Sequence, residues 1–218
     1  EYRGYDSAGI ATLSGGLINE IKSEGRVNNL EKNSLVQSME GTIGIGHVRW
    51  ATHGSPNSIN AHPHSSEIVS VVHNGIIENS NILKKSLEKE GFKFKSQTDT
   101  EVITLLITKH LKNSNPIDAV LKSLEYLEGS FALGILFKDQ SDIIIGARRG
   151  SPLAVGYSNN ENYLGSDSYA LKTMTNKISY LDDGEICILT KDNVEFFDAK
   201  KNKINKKILV LSEDKNET

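Results

Sequence analysis

The sequence predicts an α+β fold in which antiparallel sheets pack against helices. Short β-prone runs occur near both ends of the chain, whereas its middle carries longer apolar runs with helical spacing. The β-prone runs have hairpin-like spacing and few strand–helix–strand units, and this favours antiparallel over parallel sheets. We find no internal repeat and no low-complexity tract, and we expect a single domain.

The first predicted element is a hairpin. Residues 10–13 and 17–21 are apolar-rich and flank a Ser-Gly-Gly turn at 14–16, where glycine permits positive φ. Approximate helical spacing over 27–39 then predicts helix. Residues 42–48 follow as a strand that contains small glycines, which let neighbouring backbone approach closely.

The middle of the chain is predicted to change from strand to helix. Residues 68–72 predict a strand, which Asn74-Gly75 is expected to break. Apolar residues spaced over 76–87 then predict a helix that ends near Gly91.

Two more helices are expected before the chain returns to strands. Thr98 and Glu101 have the spacing of a capping box ahead of an apolar helix over 102–111. Pro116 suits the first turn of the next helix, which is expected to end before Gly129.

The last third of the chain predicts short strands. They are expected at 131–137, 143–147, 153–155, 163–164, 186–189 and 194–197, with a brief helix among them at 168–174.

Composition excludes several classes of function. The 218 residues carry a net charge of -3, with a sequence pI near 6.1 and no long apolar run, so we expect neither nucleic-acid nor membrane binding. Cys187 is the single cysteine and cannot form an internal disulfide, which favours the cytoplasm. It lies between isoleucines in a run typical of a buried strand, and we expect an inert thiol.

Three polar, glycine-rich stretches stand out as candidate site segments. They are residues 3–9, residues 49–54 together with 60–64, and residues 73–75.

Arg49 and Asp99 are candidate ligands for an amino acid. Arg49 ends a predicted strand and opens a loop, where a guanidinium can form a bidentate pair with an α-carboxylate. Asp99 offers the complementary anion for an α-ammonium group. Alternatives exist for both residues, because Arg49 suits an internal ion pair and Asp99 suits the first turn of a helix.

Asn74 and Gly75 are the candidate oxyanion hole. An amide side chain next to a sterically open glycine N–H offers two donors to a developing negative charge. The alternative is a plain turn, for which Asn-Gly is a common dipeptide.

The histidine-rich loop and Trp50 admit more than one interpretation. A metal site would suit the histidines of this region, because two of them are close in sequence. The four residues, His53, His62, His64 and His73, nevertheless lack helical ligand spacing and a supporting cysteine. We therefore favour loop-ordering histidines over a metal site, and we expect no cofactor. Trp50 suits either a lid that covers a ligand or simple packing.

Taken together and in order, these motifs resemble the glutamine amidotransferases of the N-terminal nucleophile class, and most closely their glucosamine-6-phosphate synthase branch. The segments that carry the resemblance are EYRGYDSAG at 1–9, HVRWATHG at 47–54, NAHPH at 60–64, HNGIIEN at 73–79 and TDTE at 98–101. Residues 149–153 and 165–167 resemble later landmarks of the family. Residues 2–6 and 49–52 differ from the sequence motifs that are usual at these positions in the phosphoribosyl-pyrophosphate amidotransferases.

The resemblance implies a four-layer αββα fold, with two stacked antiparallel sheets between helical layers. It implies that residues 1–210 form a glutaminase domain without its first strand and helix, and that 211–218 begin a linker to absent sugar-isomerase domains. The nucleophile of this class is an N-terminal cysteine, which we expect upstream of Glu1. We therefore expect the isolated chain to release no ammonia.

The resemblance also assigns residue roles. Asn74 and Gly75 would form the oxyanion hole, Arg49 would bind the α-carboxylate and Asp99 the α-amino group. Residues 49–56 would form a lid. Trp50 would gate ammonia, Thr52 and His53 would line the pocket, and Arg3 and His62 would support it.

The implied activity is hydrolysis of L-glutamine to glutamate and ammonia. The ammonia would pass through a channel to fructose 6-phosphate, and the parent would be a homo-oligomer. Two alternatives stay open at this point. One is another acceptor enzyme of the same class, such as an amidophosphoribosyltransferase, and the other is a non-catalytic glutamine-binding module.

Overall fold

The structure is a computed structural model that describes residues 6–50, 54–55, 57–140 and 142–211. Its strands are β1 (Ser7–Ser14), β2 (Leu17–Glu24), β3 (Ile43–Arg49), β4 (His64–Ser65), β5 (Val69–Ile77), β6 (Gly129–Phe137), β7 (Ile144–Arg149), β8 (Ala154–Ser158), β9 (Glu161–Gly165), β10 (Lys177–Tyr180), β11 (Ile186–Leu189), β12 (Val194–Phe197), β13 (Lys203–Ile204) and β14 (Leu209–Val210). Its helices are α1 (Val27–Glu31), α2 (Ser34–Gln37), α3 (Ser80–Lys89), α4 (Thr100–Leu111), α5 (Pro116–Leu124) and α6 (Ser168–Leu171).

A seven-stranded sheet forms the centre of the domain, in the order β13-β12-β11-β7-β6-β5-β4. Helices α3, α4 and α5 cover one face of it. The main hydrophobic core lies at this contact, where Leu106 and Val120 of the helices pack with Leu133 and Ile145 of the strands. Each such side chain stabilises the fold by about 1.5–3 kcal/mol relative to leaving it exposed.

Two smaller sheets lie on the opposite face of the central sheet. One has the order β2-β1-β3 and the other the order β14-β10-β8-β9. Leu136 of the central sheet packs against Ala11 and Ile45 of the first small sheet, and Ala132 packs against Val155 of the second. The strand pairings described in all three sheets are antiparallel.

Short helices add the fourth layer. Helix α6 packs on β8 and β9, where Leu171 contacts Ala154 and Ile178. Successive residues of a strand face opposite sides of the sheet. Val155 packs towards the central sheet, so its neighbour Ala154 points away from it. The four-layer αββα arrangement is therefore confirmed, with its second sheet layer divided into two sheets.

The predicted break at Asn74-Gly75 is wrong. Strand β5 runs through both residues, and Asn74 pairs with Ala132 and Gly75 with Phe131. Gly75 has a φ of 135°, and a Cβ placed there would lie 2.1 Å from the carbonyl oxygen of Ser130. Pairing with the long, buried strand β6 outweighs the local turn preference, and α3 consequently begins at Ser80 rather than Ile76.

The predicted capping box is also wrong, although the helix is present. Asp99 occupies the position before α4 and makes no side-chain cap. Thr98 instead hydrogen-bonds His64, and the Glu101 carboxylate accepts the backbone N–H groups of Lys95 and Ser96. Tertiary partners have replaced the local pairing that the spacing predicts.

Most other elements agree with the sequence. The first hairpin, β3, α5, α6 and the later apolar strands lie where their patterns predict them, whereas the region over 27–39 divides into α1 and α2. Strands β4, β10, β13 and β14 have two to four residues each and were not predicted. Such short strands carry too few apolar residues to produce a periodic signal.

Candidate active site

A groove separates the end strands of the two small sheets. Strands β3 and β9 form its walls, and residues of β5 and β6 form its floor. The wider part has a volume of about 630 Å³, and the groove continues past the starts of both strands into a second cavity of about 680 Å³. The side chain of Asn74 is exposed and lines the wider part, together with His47 and His73.

The geometry of Asn74 is set by its position in β5 and by one partner. The Asn74 Oδ1 atom lies 2.8 Å from Nε2 of His47, across the interface between β3 and β5. Gly75 follows Asn74 in the strand but is not among the residues that line the groove. Of the two predicted oxyanion-hole residues, Asn74 therefore presents its side chain to the groove, whereas Gly75 packs against Ser130 of β6.

Behind Asn74 lies a cluster of histidines around the start of α4, in which His47 is half-buried and the others are buried. The Thr100 hydroxyl is 2.8 Å from His62 Nε2 and 2.9 Å from His73 Nδ1. The rings of His47 and His62 approach with centroids 4.3 Å apart, and His64 completes the cluster through its contact with His62.

These imidazoles are held in the neutral form. Burial lowers the pKa of His47 to about 4 and that of His64 to about 3, with nearby positive groups adding to the effect at His64. Burial also lowers the pKa values of His62 and His73. The cluster consequently supplies hydrogen bonds rather than charge near neutral pH.

Arg49 ends β3 with its side chain 3% exposed. Its Nη1 atom lies 3.5 Å from a carboxylate oxygen of Asp6, and its guanidinium also approaches the carbonyl oxygens of Gly54 and Ser55 at 3.4 Å. The internal ion pair considered as an alternative is therefore present. The same contacts place Gly54 and Ser55 beside the guanidinium.

Asp99 is buried and contacts the strand that carries Asn74. Its Oδ2 atom accepts the backbone N–H of Ile77 at 2.8 Å. The carboxylate thus lies beside the end of β5, near the His73 ring, whose pKa it acts to raise. Asp99 therefore makes tertiary contacts in addition to lying next to the first turn of α4.

The remaining predicted site residues have mixed outcomes. His62 is buried and contacts Thr100, and Trp50 is 67% exposed beside Arg49. Arg3, Thr52 and His53 lie outside the described residues, as does part of the lid predicted over 49–56.

Cys187 lies in β11, fully buried between the central sheet and the second small sheet. Burial raises the pKa of its thiol to about 12. A thiol in this position is not an effective nucleophile near neutral pH. The prediction of an inert cysteine agrees with this placement.

Neither a candidate metal cluster nor a membrane-spanning helix occurs in the part of the chain that the structure describes. No group of three or more His, Cys, Asp or Glu side chains there has the geometry to hold a metal ion. None of the described helices is long and apolar enough to cross a membrane.

His47 is the site residue to which the sequence interpretation gave no role. A signal for it was present in the alternation of β3, because Ile45 and Arg49 face the interior and His47 shares their side of the strand. A polar residue between two inward positions indicates a hydrogen-bond partner within the fold. The sequence does not indicate that this partner is Asn74, which is 27 residues away.

Comparison with known proteins gives a consistent result. A family model described as a glutamine amidotransferase domain matches residues 47–173. The chain is 50% identical over 208 residues to a glutamine–fructose-6-phosphate aminotransferase (isomerizing) from Mesorhizobium japonicum, covering 95% of this chain and 34% of that protein. A protein of the same name from Caldanaerobacter subterraneus is 50% identical over 216 residues, covering 98% and 35%. The chain therefore spans about a third of the length of these relatives.

Solved structures agree on the fold. A glutamine phosphoribosylpyrophosphate amidotransferase from B. subtilis, complexed with ADP and GMP, has a TM-score of 0.77 at 26% identity and covers 93% of this chain and 45% of that one. A glutamine aminotransferase class-II domain protein from Silicibacter pomeroyi has a TM-score of 0.63 at 14% identity, covering 88% and 91%.

Proposed function

The chain belongs to the glutamine amidotransferase domain family, and on that premise we propose that it binds L-glutamine and promotes hydrolysis of the side-chain amide to glutamate and ammonia. The observation that carries the proposal is the exposed Asn74 amide at the groove between β3 and β9, followed in β5 by Gly75. Donors at this point stabilise the negative oxygen of a tetrahedral intermediate.

The proposed reaction is acyl transfer through a cysteine. A thiolate attacks the amide carbon of glutamine, and the carbonyl electron pair moves to the oxygen, which Asn74 and Gly75 stabilise. The intermediate collapses as the proton lost from the thiol passes to the amide nitrogen, which leaves as ammonia, and water hydrolyses the resulting thioester to glutamate and free thiol. Burial makes Cys187 unsuitable as this thiolate, so the nucleophile is a cysteine from outside these 218 residues.

The groove supports a position for the segment that carries this cysteine. The walls are end strands of two sheets, β3 and β9, which begin at the same end of the groove. One added strand, antiparallel to both, would join the two small sheets into a single sheet. We assign this place to the first strand of the glutaminase domain, contributed from outside the described residues.

That assignment is testable by hydrogen exchange. In the complete gene product that contains this sequence, the backbone amides of β3 and β9 that face the groove should be protected. The added strand would be contradicted if the amides of residues 43–49 and 161–165 exchanged as fast in the complete gene product as in the isolated 218-residue chain.

We assign substrate recognition to two buried charged residues, neither of which lines the groove. Arg49 binds the α-carboxylate of glutamine and Asp99 its α-ammonium group. Arg49 already pairs with Asp6, so in this role its guanidinium contacts the carboxylates of both Asp6 and the ligand. Arg3, Thr52 and His53 complete the pocket, His62 supports it, and Trp50 with the rest of 49–56 forms the lid.

The acceptor of the ammonia is fructose 6-phosphate in this proposal. Support comes from the names of the relatives at 50% identity, which exceeds the 26% identity to the phosphoribosylpyrophosphate enzyme. The activity belongs to a longer, homo-oligomeric cytoplasmic protein in which residues 211–218 lead to the isomerase domains.

The test is ammonia release by the complete gene product. We expect glutamine to be hydrolysed, and ammonia to be transferred to fructose 6-phosphate but not to phosphoribosyl pyrophosphate. Calorimetric binding of glutamine without turnover would instead support a non-catalytic glutamine-binding module. Transfer to phosphoribosyl pyrophosphate would contradict the acceptor and leave the glutaminase proposal intact.

A further inference from the structure

Asn74 has two orientations of its side-chain amide, and only one suits an oxyanion. With the oxygen turned away from the groove, the amide nitrogen offers its hydrogens to a negative charge. With the amide flipped, the oxygen faces that charge and repels it. A residue that selects one orientation therefore contributes to the reaction without touching the substrate.

We infer that His47 is a positioning residue, whose Nε2–H donates to Asn74 Oδ1 and thereby holds the Asn74 amide nitrogen towards the groove. The inference rests on the proposed function of Asn74. The contact is 2.8 Å long, and in the amide orientation that the structure has, the oxygen can only accept, so this orientation pairs with a proton on Nε2.

The surroundings of His47 favour the same tautomer. Its Nδ1 atom is buried and has no hydrogen-bond partner of normal geometry among the described residues, although the backbone carbonyl of His73 lies close enough to the ring to raise its pKa slightly. If the Asn74 amide were flipped, its N–H would donate to an unprotonated Nε2 of His47. The proton of the neutral imidazole would then have to be on Nδ1. An orphaned buried N–H is rarer in proteins than an under-satisfied acceptor, so the Nε2–H tautomer is preferred.

The ring of His47 is also held in place. His62 lies against it at a centroid distance of 4.3 Å, and His62 is itself bound to the hydroxyl of Thr100 at the start of α4. The imidazole is neutral near pH 7 because burial lowers its pKa to about 4. Orientation of the Asn74 amide is consequently independent of pH across the physiological range.

The test is a double-mutant cycle on glutamine hydrolysis by the complete gene product. We expect H47L to lower kcat by about 2- to 10-fold, the effect of one hydrogen bond, with little change in KM. In an N74A background the same change should have no further effect. Additive losses would overturn the inference, because His47 would then act by another route.

The conservative variant H47Q provides a matched control. A glutamine side-chain nitrogen can take the place of Nε2 as donor, so H47Q should recover most of the kcat that H47L loses. If N74A itself leaves kcat unchanged, the proposed oxyanion role of Asn74 fails, and that outcome is distinct from a failure of the His47 inference.

A direct readout does not depend on how H47L folds. Nitrogen chemical shifts of ¹⁵N-labelled histidine in the complete gene product distinguish the two neutral tautomers. We expect the Nε2–H tautomer for His47 at pH 7. The Nδ1–H tautomer would overturn the inference.

Discussion

Asp99 accepts a hydrogen bond from the backbone N–H of Ile77 at 2.8 Å, and this bond joins the start of α4 to the strand that carries Asn74 and Gly75. The carboxylate therefore has a structural partner as well as a proposed ligand. The two roles make different demands on the side chain, because Ile77 needs only an acceptor and an α-ammonium group needs a negative charge.

The variants D99N and D99A separate these roles. D99N keeps an acceptor for Ile77, so we expect kcat within about threefold of wild type and a KM for glutamine raised about 10- to 100-fold by the lost charge. D99A also leaves the Ile77 N–H unpaired and should destabilise the domain by about 1–3 kcal/mol. D118N, in the first turn of α5, is the matched control and should leave KM unchanged. An unchanged KM in D99N would exclude the ligand role.

Gly75 should tolerate no side chain. G75A would place a Cβ 2.1 Å from the Ser130 carbonyl oxygen at a φ of 135°, whereas G91A has a φ of 90° and no atom within 4 Å. We expect G91A to cost about 1–2 kcal/mol from backbone strain, and G75A to cost at least about 2 kcal/mol more. Opening free energies from hydrogen exchange of the β5 and β6 amides measure both. Equal costs would show that β5 and β6 do not approach so closely.

The buried histidines should make the domain sensitive to acid. His64 titrates near its ordinary value of 6.5 in the unfolded chain but near 3 when folded. The unfolded state therefore binds more protons between those values, and stability falls as pH falls from 6.5 towards 3. His64 alone contributes at most about 1.4 kcal/mol per pH unit in this window.

Replacement of His64 tests that pH dependence. H64Q retains a partner for Thr98 and removes the titration, so the opening free energy of the domain should fall less steeply between pH 6.5 and 4.5 than in wild type. Hydrogen exchange, corrected for the intrinsic effect of pH on exchange, gives both slopes. Identical slopes would show that His64 is not buried as a neutral ring.

Cys187 should be dispensable for chemistry. It is fully buried in β11, so C187A should leave the kcat of the complete gene product for glutamine hydrolysis within about twofold, while the small cavity lowers stability by about 1–2 kcal/mol. Steady-state ammonia release and a thermal scan check the two parts. A folded C187A protein without activity would make Cys187 the nucleophile.

The sequence predicts those parts of the fold that have long periodic patterns. The hairpin of β1 and β2 and helix α5 follow from local spacing together with Gly or Pro, and helix α4 follows from its apolar run. Their patterns suffice because each element buries one face in a hydrophobic core, α4 and α5 on one side of the central sheet and the hairpin on the other.

The sequence failed where distant residues decide the conformation. Asn74-Gly75 has the composition of a turn, but pairing with β6 keeps it in a strand. Thr98 and Glu101 have capping-box spacing, but His64 and the backbone of Lys95 and Ser96 provide their partners. The division of the second layer into two sheets depends on which strands pair, and no local pattern encodes that.

The sequence indicated individual candidate residues of the site but not their arrangement in space. Asn74, Arg49 and Asp99 are identifiable because polar groups follow apolar strands or precede helices. The contact between His47 and Asn74 joins two strands across the sheet layers, and the sequence contains no spacing that predicts it.

The central claim is that Asn74 stabilises the oxyanion formed from glutamine, and the kcat of N74A in the complete gene product tests it most directly. Asn162 also lines the groove but donates to the carbonyl oxygen of Thr190, so N162A is the matched control. We predict that N74A lowers kcat by about 10²- to 10³-fold with KM nearly unchanged, and that N162A does not. A folded N74A protein with the kcat of wild type would contradict the claim.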